Sequence, residues 1–431
     1  MQIILLSGGS GKRLWPLSNG IRSKQFIKVF PCEDGERESM VQRMFRGFKN
    51  TVPEAHVTVT TLKAQASQLL NQLGEYVDVC VEPVRRDTFP AVALASYYLS
   101  DEKHCYDGEP VIVCPVDPYV GDDYFRVIRD MEKKIMEIRE GLVLMGIRPT
   151  YPSEKYGYIM CDDRLNVTGF KEKPELADAE RLVSEGAWWN GGVFGFKLGY
   201  IKYLVKNITG FDTYRDLKDN YESLNSVSFD YEIVEKEKII KMVPFYGEWK
   251  DVGTWNTFAE VMAGNTSGKV RLDETCENTH VVNELDVPVL GMGLKDIVVA
   301  VSSDGILVSD KGRSSHMKAY VDEIAEPVKY AEKSWGSYQV LDIGNTSMTV
   351  KVTLLPGHSM NYHSHERRAE MWTVIEGEGV CTVDDKEHAL KPGDIIMLPI
   401  GCKHTVRAVS KLVIMEMQFG EDIDVADKIK Y

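Results

Sequence analysis

A change of rhythm partway along the chain constrains its fold more than any other feature. Up to about residue 262, short apolar runs at 3–6, 57–60, 111–114 and 142–145 have the length of buried strands. Between them, 40–48, 64–73 and 91–99 carry apolar residues at helical spacing. Strands alternating with helices predict a Rossmann-like α/β domain over 1–262. Its sheet is mainly parallel and covered on both faces, and its ligands lie at the carboxyl ends of the strands. From 263 to 325 the pattern becomes short Val/Ile/Leu pieces, such as 298–301 and 306–308, separated by Gly, Asp, Asn and Ser. That composition suits a small β module of the β-helix type. A linker is expected at 323–333, around Pro327, and the strand-like, Gly/Pro-punctuated remainder, 326–431, reads as an all-β barrel. Three domains agree with a length of 431 residues.

The first strand runs directly into Ser7-Gly8-Gly9-Ser10-Gly11-Lys12-Arg13-Leu14-Trp15-Pro16-Leu17. Glycines there let the backbone approach a phosphate and offer open N–H donors. The spacing is neither a dinucleotide fingerprint, since position 14 is Leu, nor a P-loop, since Gly11-Lys12 is followed by Arg. Lys12, Arg13, Arg22, Lys24 and Lys28 fall in a stretch with no acidic residue before Glu33, while the whole chain has a net charge of −14. A local anion site in an acidic protein is the expectation, and general binding to nucleic acid is not. No run approaches the ~18 apolar residues of a membrane span. The start, Met1-Gln2-Ile3-Ile4-Leu5-Leu6, lacks the basic segment of a secretion signal. The cysteines (Cys32, Cys80, Cys105, Cys114, Cys161, Cys276, Cys381 and Cys402) include no C-x-x-C pair, so a reduced, cytoplasmic protein is expected.

The glycine loop, with Ser23-Lys24-Gln25-Phe26 after it, resembles the signature of the sugar-1-phosphate nucleotidyltransferases. Its R-L-W-P-L-S and K-Q-F spelling is similar to the mannose-1-phosphate guanylyltransferases. Lys12 stands where that signature has Thr, and Ser23 where it has Pro. Further motifs follow in order up to about residue 320. They are Glu82-Pro83-Val84-Arg85-Arg86-Asp87-Thr88, Cys114-Pro115-Val116-Asp117 (then Pro118 for the usual His), Tyr156-Gly157-Tyr158-Ile159 and Glu172-Lys173-Pro174. After these come Trp189-Asn190-Gly191-Gly192, Phe229-Asp230-Tyr231 and Trp249-Lys250-Asp251-Val252-Gly253-Thr254-Trp255. The resemblance implies transfer of a nucleotidyl group from GTP to mannose 1-phosphate, giving GDP-mannose and pyrophosphate, as in polysaccharide biosynthesis. Asp117 and Asp251 are then the Mg²⁺ carboxylates. Arg13 and Lys24 are the catalytic cations. Gly8, Gly9, Gly11, Lys12, Glu82 and Asp87 bind the nucleotide, and Gly157, Glu172, Lys173 and Asn190 the sugar phosphate. Another sugar or base, or a sensor that binds without turnover, is the alternative.

Residues 357–377 read Gly-x5-His363-Ser364-His365-x4-Glu370-x6-Gly377, and 393–404 read Gly-x5-Pro399-Ile400-Gly401-x2-His404. On a strand His363 and His365 share a face. With Glu370 and His404 they form a donor set for a divalent transition metal, Zn²⁺ or similar. The two motifs resemble those of the cupins, with Ala408 in place of a trailing Asn. A cupin behind a guanylyltransferase resembles enzymes that also carry mannose-6-phosphate isomerase activity. Their pattern, however, has two residues between the second His and the Glu, where this chain has four. A homo-oligomer is compatible with such a chain.

Overall fold

The computed structural model describes residues 1–9, 11–32, 37–74, 76–324, 328–421, 423 and 427–431, without the side chains of Gly11 and Lys12. The chain divides into two compact units. The first holds Met1–Ser10 and Lys24–Ala263, the second Gly11–Ser23 and Gly264–Tyr431.

Alternation of apolar side chains builds the first unit. In the strand Gln2–Leu6, Ile3 and Leu5 enter one core with Val57, Val59, Ile112 and Cys114. Ile4 enters the opposite core with Cys80, Val111 and Val113. A strand buried on both faces needs helices on both sides. Met40–Thr51 begins in a capping box of Ser39 and Gln42, and buries Val41, Met44 and Phe48. Thr88–Asp101 is apolar nearly all round and almost wholly buried, with Pro90 tolerated in its first turn. The anticipated strands and helices are all present.

Gln2–Leu6 pairs in parallel with His56–Leu62 on one side and Pro110–Pro115 on the other, and His56–Leu62 pairs in parallel with Asp78–Glu82. Beyond Pro110–Pro115 the nine-stranded sheet continues antiparallel through Trp188–Lys197. That strand also pairs with Leu142–Ile147 and with Gly157–Cys161. A short ladder, Trp249–Asp251 against Pro118–Val120, stands apart from the sheet.

In the second unit, Thr266–Ser267, His280–Asn283 and Ile297–Ser302 stack in parallel, as do Val270–Leu272 and Val289–Gly291. Parallel rungs a short connection apart are the geometry of a β-helix coil. The cupin part has a six-stranded and a five-stranded sheet. Val350, Val352, Trp372 and Ile414 of the first meet Cys381, Leu390, Val406 and Ala408 of the second in one core. Pro327, at the centre of the expected linker, lies outside the described residues. The end of that segment is a strand, Tyr330–Lys333, paired with Gly336–Ile343. Among the described residues no helix is long and apolar enough to cross a membrane.

Candidate functional site

The carboxyl end of Pro110–Pro115 delivers Asp117. The ladder pairs Asp251 with Pro118, the residue after Asp117. Lys24, at the start of the short 3-10 helix Lys24–Phe26, donates from Nζ to Asp117 Oδ2 at 2.9 Å and to the Val252 carbonyl at 3.2 Å. A cation already stands on Asp117, and carboxylate oxygens are the donors a hard divalent cation takes. Arg13 is exposed on Gly11–Leu14, a segment that belongs to the second unit.

The glycine turn is held from both sides within the first unit. Gln25 Nε2 donates to the Ser7 carbonyl at 2.8 Å, and Arg85 donates to the Gly9 carbonyl at 3.0 Å. A Cβ on Gly8 would come 3.2 Å from Glu82 Oε1, so glycine keeps the approach to that carboxyl open. Glu82 is 3% exposed and accepts a hydrogen bond from Tyr221 Oη at 2.8 Å. Burial pushes its carboxyl up to about 7, against the pull of Tyr221 and Arg85. Asp87 caps the helix Thr88–Asp101 in a φ of 69°, a region costly for a residue with a Cβ.

A second polar cluster gathers the sugar-phosphate candidates. Asn190 pairs with Gly157 across the ladder, and Asn190 Nδ2 donates to Asp230 Oδ1 at 2.6 Å. Lys173 Nζ lies 2.7 Å from Glu172 Oε1, whereas the buried Glu172 Oε2 has no hydrogen-bond partner among the described residues. A Cβ on Gly157 would stand 2.5 Å from that same oxygen. Burial, with the charge of Glu172, raises Asp230 to about 7. A buried acid, a half-buried one and an amide around a glycine gap are suited to hydroxyl groups. Asp230 was assigned no role from the sequence, although it lies in the Phe229-Asp230-Tyr231 motif.

One member of the expected basic cluster is elsewhere. Arg22 is buried in the second unit and makes two bonds to Glu284, at 2.7 and 2.8 Å, so its charge is already satisfied. Lys28 is exposed, and the Lys12 side chain lies outside the described residues.

The cupin site is buried and organised. His363 Nδ1 meets the Asn361 carbonyl at 2.7 Å, His404 Nδ1 meets the Cys402 carbonyl at 3.1 Å, and His365 Nδ1 meets the Asp427 carbonyl. A carbonyl only accepts, so each Nδ1 carries the proton and each Nε2 keeps its lone pair. The ligand atoms of the three histidines lie within 4.8 Å of one another. Glu370 lies 3.0 Å from His365 Nε2 and 3.5 Å from His404 Nε2, and the buried His404 Nε2 has no hydrogen-bond partner among the described residues. Three imidazoles with aimed lone pairs and a carboxylate fit a divalent transition metal.

The sequence did not single out the other polar groups of this chamber. Arg368 donates to Glu370 Oε1 at 3.0 Å, and Trp372 Nε1 to Glu370 Oε2 at 3.1 Å. Gln418, opposite Glu370 in the ladder, donates to the buried Glu416. Inward alternation of Ile414, Glu416 and Gln418 on one strand was the signal that could have found them.

Fold and site together are those of a nucleotidyltransferase carrying a cupin. The chain belongs to the nucleotidyl transferase family, whose model matches residues 2–268; the cupin domain model matches residues 350–417. It is 28% identical to the mannose-1-phosphate guanylyltransferase of Escherichia coli (strain K12), over 99% of this chain and 97% of that one. It is 30% identical to the alginate biosynthesis protein AlgA of Pseudomonas aeruginosa, over 97% and 93% respectively. Among solved structures, one described as a mannose-1-phosphate geranyltransferase from Thermus thermophilus matches with a TM-score of 0.63. It is 26% identical and covers 75% of this chain and 99% of its own.

Proposed function

We propose that the chain makes GDP-mannose. A phosphate oxygen of mannose 1-phosphate attacks the α-phosphorus of GTP, the bond from that phosphorus to the α–β bridging oxygen breaks, and pyrophosphate leaves with the electron pair. The observation that carries this reading is Lys24 on Asp117 at the end of the strand Pro110–Pro115, with Asp251 paired to the next residue, Pro118. Both reactants are anions, so catalysis is positioning and neutralisation. Lys24 turns from Asp117 to the α-phosphate, and Arg13 takes the charge developing on pyrophosphate through its two-pronged guanidinium. Gly8, Gly9, Gly11 and Lys12 cradle the phosphates, while Glu82 and Asp87 lie on the base side. Glu172, Asn190, Gly157 and Asp230 receive the sugar hydroxyls, and Lys173 the sugar phosphate. Asp117 and Asp251 would hold Mg²⁺, which supplies charge neutralisation at the phosphates when bound. The named relatives support the choice of GTP and mannose 1-phosphate.

Pyrophosphate release, measured over a panel of nucleotides and sugar 1-phosphates, tests the proposal. Turnover with GTP and mannose 1-phosphate is expected. Turnover only with another pair overturns the substrates and keeps the class, and binding without any turnover makes the protein a sensor.

For the cupin we propose a bound Zn²⁺ or similar ion at His363, His365, Glu370 and His404, and interconversion of mannose 6-phosphate and fructose 6-phosphate as a second activity. Supporting this is an acid–base pair in the same chamber. Burial and the charge of Glu370 push the Glu416 carboxyl up, while burial pulls the nearby Lys428 ammonium down. Metal analysis followed by an isomerase assay before and after chelation tests it, and metal-free but active protein would contradict it. The product suits a polysaccharide pathway, small molecules are the partners, and the free cysteines agree with a cytoplasmic setting.

A further inference from the structure

The segment after the glycine turn is built into the β module. Leu14 and Leu17, which belong to the second unit, are fully buried. The Pro16 carbonyl accepts a hydrogen bond from Ser302 Oγ at 2.7 Å. Asn19 Nδ2 donates to Asp304 Oδ2 at 2.7 Å and to the Tyr330 carbonyl at 3.3 Å, while its Oδ1 accepts from the amides of Ile21 and Arg22. Arg22, 8% exposed, makes its two-pronged bond to Glu284 with its guanidinium 5.5 Å from the Tyr330 ring centre. At Gly305, whose φ is +152°, a Cβ would come within 2.4 Å of the Trp15 ring, so the indole rests on bare backbone. Positions 15 to 22 are thus held at four points, and Arg13 projects from the turn that begins this segment.

We propose that Glu284 and Asp304, acting through Arg22 and Asn19, are positioning residues for nucleotidyl transfer. They set the conformation of the segment from which Arg13 clamps phosphate. A catalytic cation on a glycine-rich turn must be held in place before the reaction, because reorganisation during it raises the barrier. The two-pronged Arg–carboxylate pair supplies direction as well as attraction, and leaving the buried Arg22 charge without its partner is costly. This inference rests on the role proposed above for Arg13.

The test compares Glu284→Gln, Asn19→Ala and Arg13→Ala in the full chain, with steady-state kinetics and hydrogen exchange. Glu284→Gln is expected to lower kcat for pyrophosphate release by about tenfold or more. The KM for mannose 1-phosphate and the cupin metal content should stay unchanged. The amides of Leu17 and Ser18, which donate to the Leu14 carbonyl, should exchange faster. Asn19→Ala, a smaller lesion, should do the same to a lesser degree, and keeps the test decisive if Glu284→Gln does not fold. Arg22→Lys, which keeps the charge but not the fork, should recover only part of the rate. Folded Glu284→Gln and Asn19→Ala proteins with unchanged kcat, beside an inactive Arg13→Ala, would overturn the positioning role alone. An active Arg13→Ala would overturn the reading of Arg13 and this inference with it.

Discussion

Asp117 and Asp251, the proposed Mg²⁺ carboxylates, have the same chemistry but different settings, one just past a strand end and one in a two-strand ladder. Asp117→Asn and Asp251→Asn should each lower kcat by at least ~10²-fold, the scale of losing one charge contact in the transition state. Pyrophosphate release by protein with unchanged circular dichroism checks this. Glu82 gives a prediction with a sign. Its carboxyl titrates near 7 in the folded chain, against an ordinary value of about 4.3. Between those values the native state holds a proton that the unfolded chain has lost, so unfolding free energy falls as pH rises through this window. Glu82→Gln removes the dependence. Its stability relative to the parent should therefore rise from pH 5 to pH 8, by up to about 3 kcal/mol, as read from urea denaturation at several pH values.

At the scale of elements, the strand Gly157–Cys161 brings its first residue to Asn190 on Trp188–Lys197. The ladder leaves room there for hydrogen only. Gly157→Ala would drive a methyl group against Glu172 Oε2 and the Phe170 ring. An overpacked site of this kind costs about 1–3 kcal/mol. The KM for mannose 1-phosphate should rise roughly tenfold or more while the KM for GTP holds. Equal effects on both substrates would show a general distortion instead. The cupin strands give the complementary case: His363 and His365 share a face because the strand period is two, and His404 lies opposite His363 in the next ladder.

Across the whole molecule, the three-histidine site and the Lys24–Asp117 site belong to different compact units. Chelation, or His404→Ala, should strip the cupin metal and leave the rate of pyrophosphate release within about twofold, since sites that share no partner act independently. Elemental analysis beside the kinetic assay checks this. Loss of transferase activity on chelation in excess Mg²⁺ would reveal coupling through the metal.

What the sequence determined by itself is what depends on neighbours along the chain. Short continuous apolar runs located the buried strands at 3–6, 57–60, 111–114 and 142–145, and helical spacing the helices between them, because both patterns are written in neighbouring residues. The His363-x-His365 spacing likewise placed two lone pairs on one face. Tertiary structure alone decided which distant groups meet. Arg22 read as one more cation of an anion site until Glu284, far along the chain, was found on its guanidinium. Glu416 and Lys428 looked like ordinary strand and tail residues until the barrel closed around them. Asp230 became an acid raised to about 7 only when Asn190 and Glu172 came beside it. A charge's pairing and solvation depend on what surrounds it in three dimensions, and no periodicity along the chain records that.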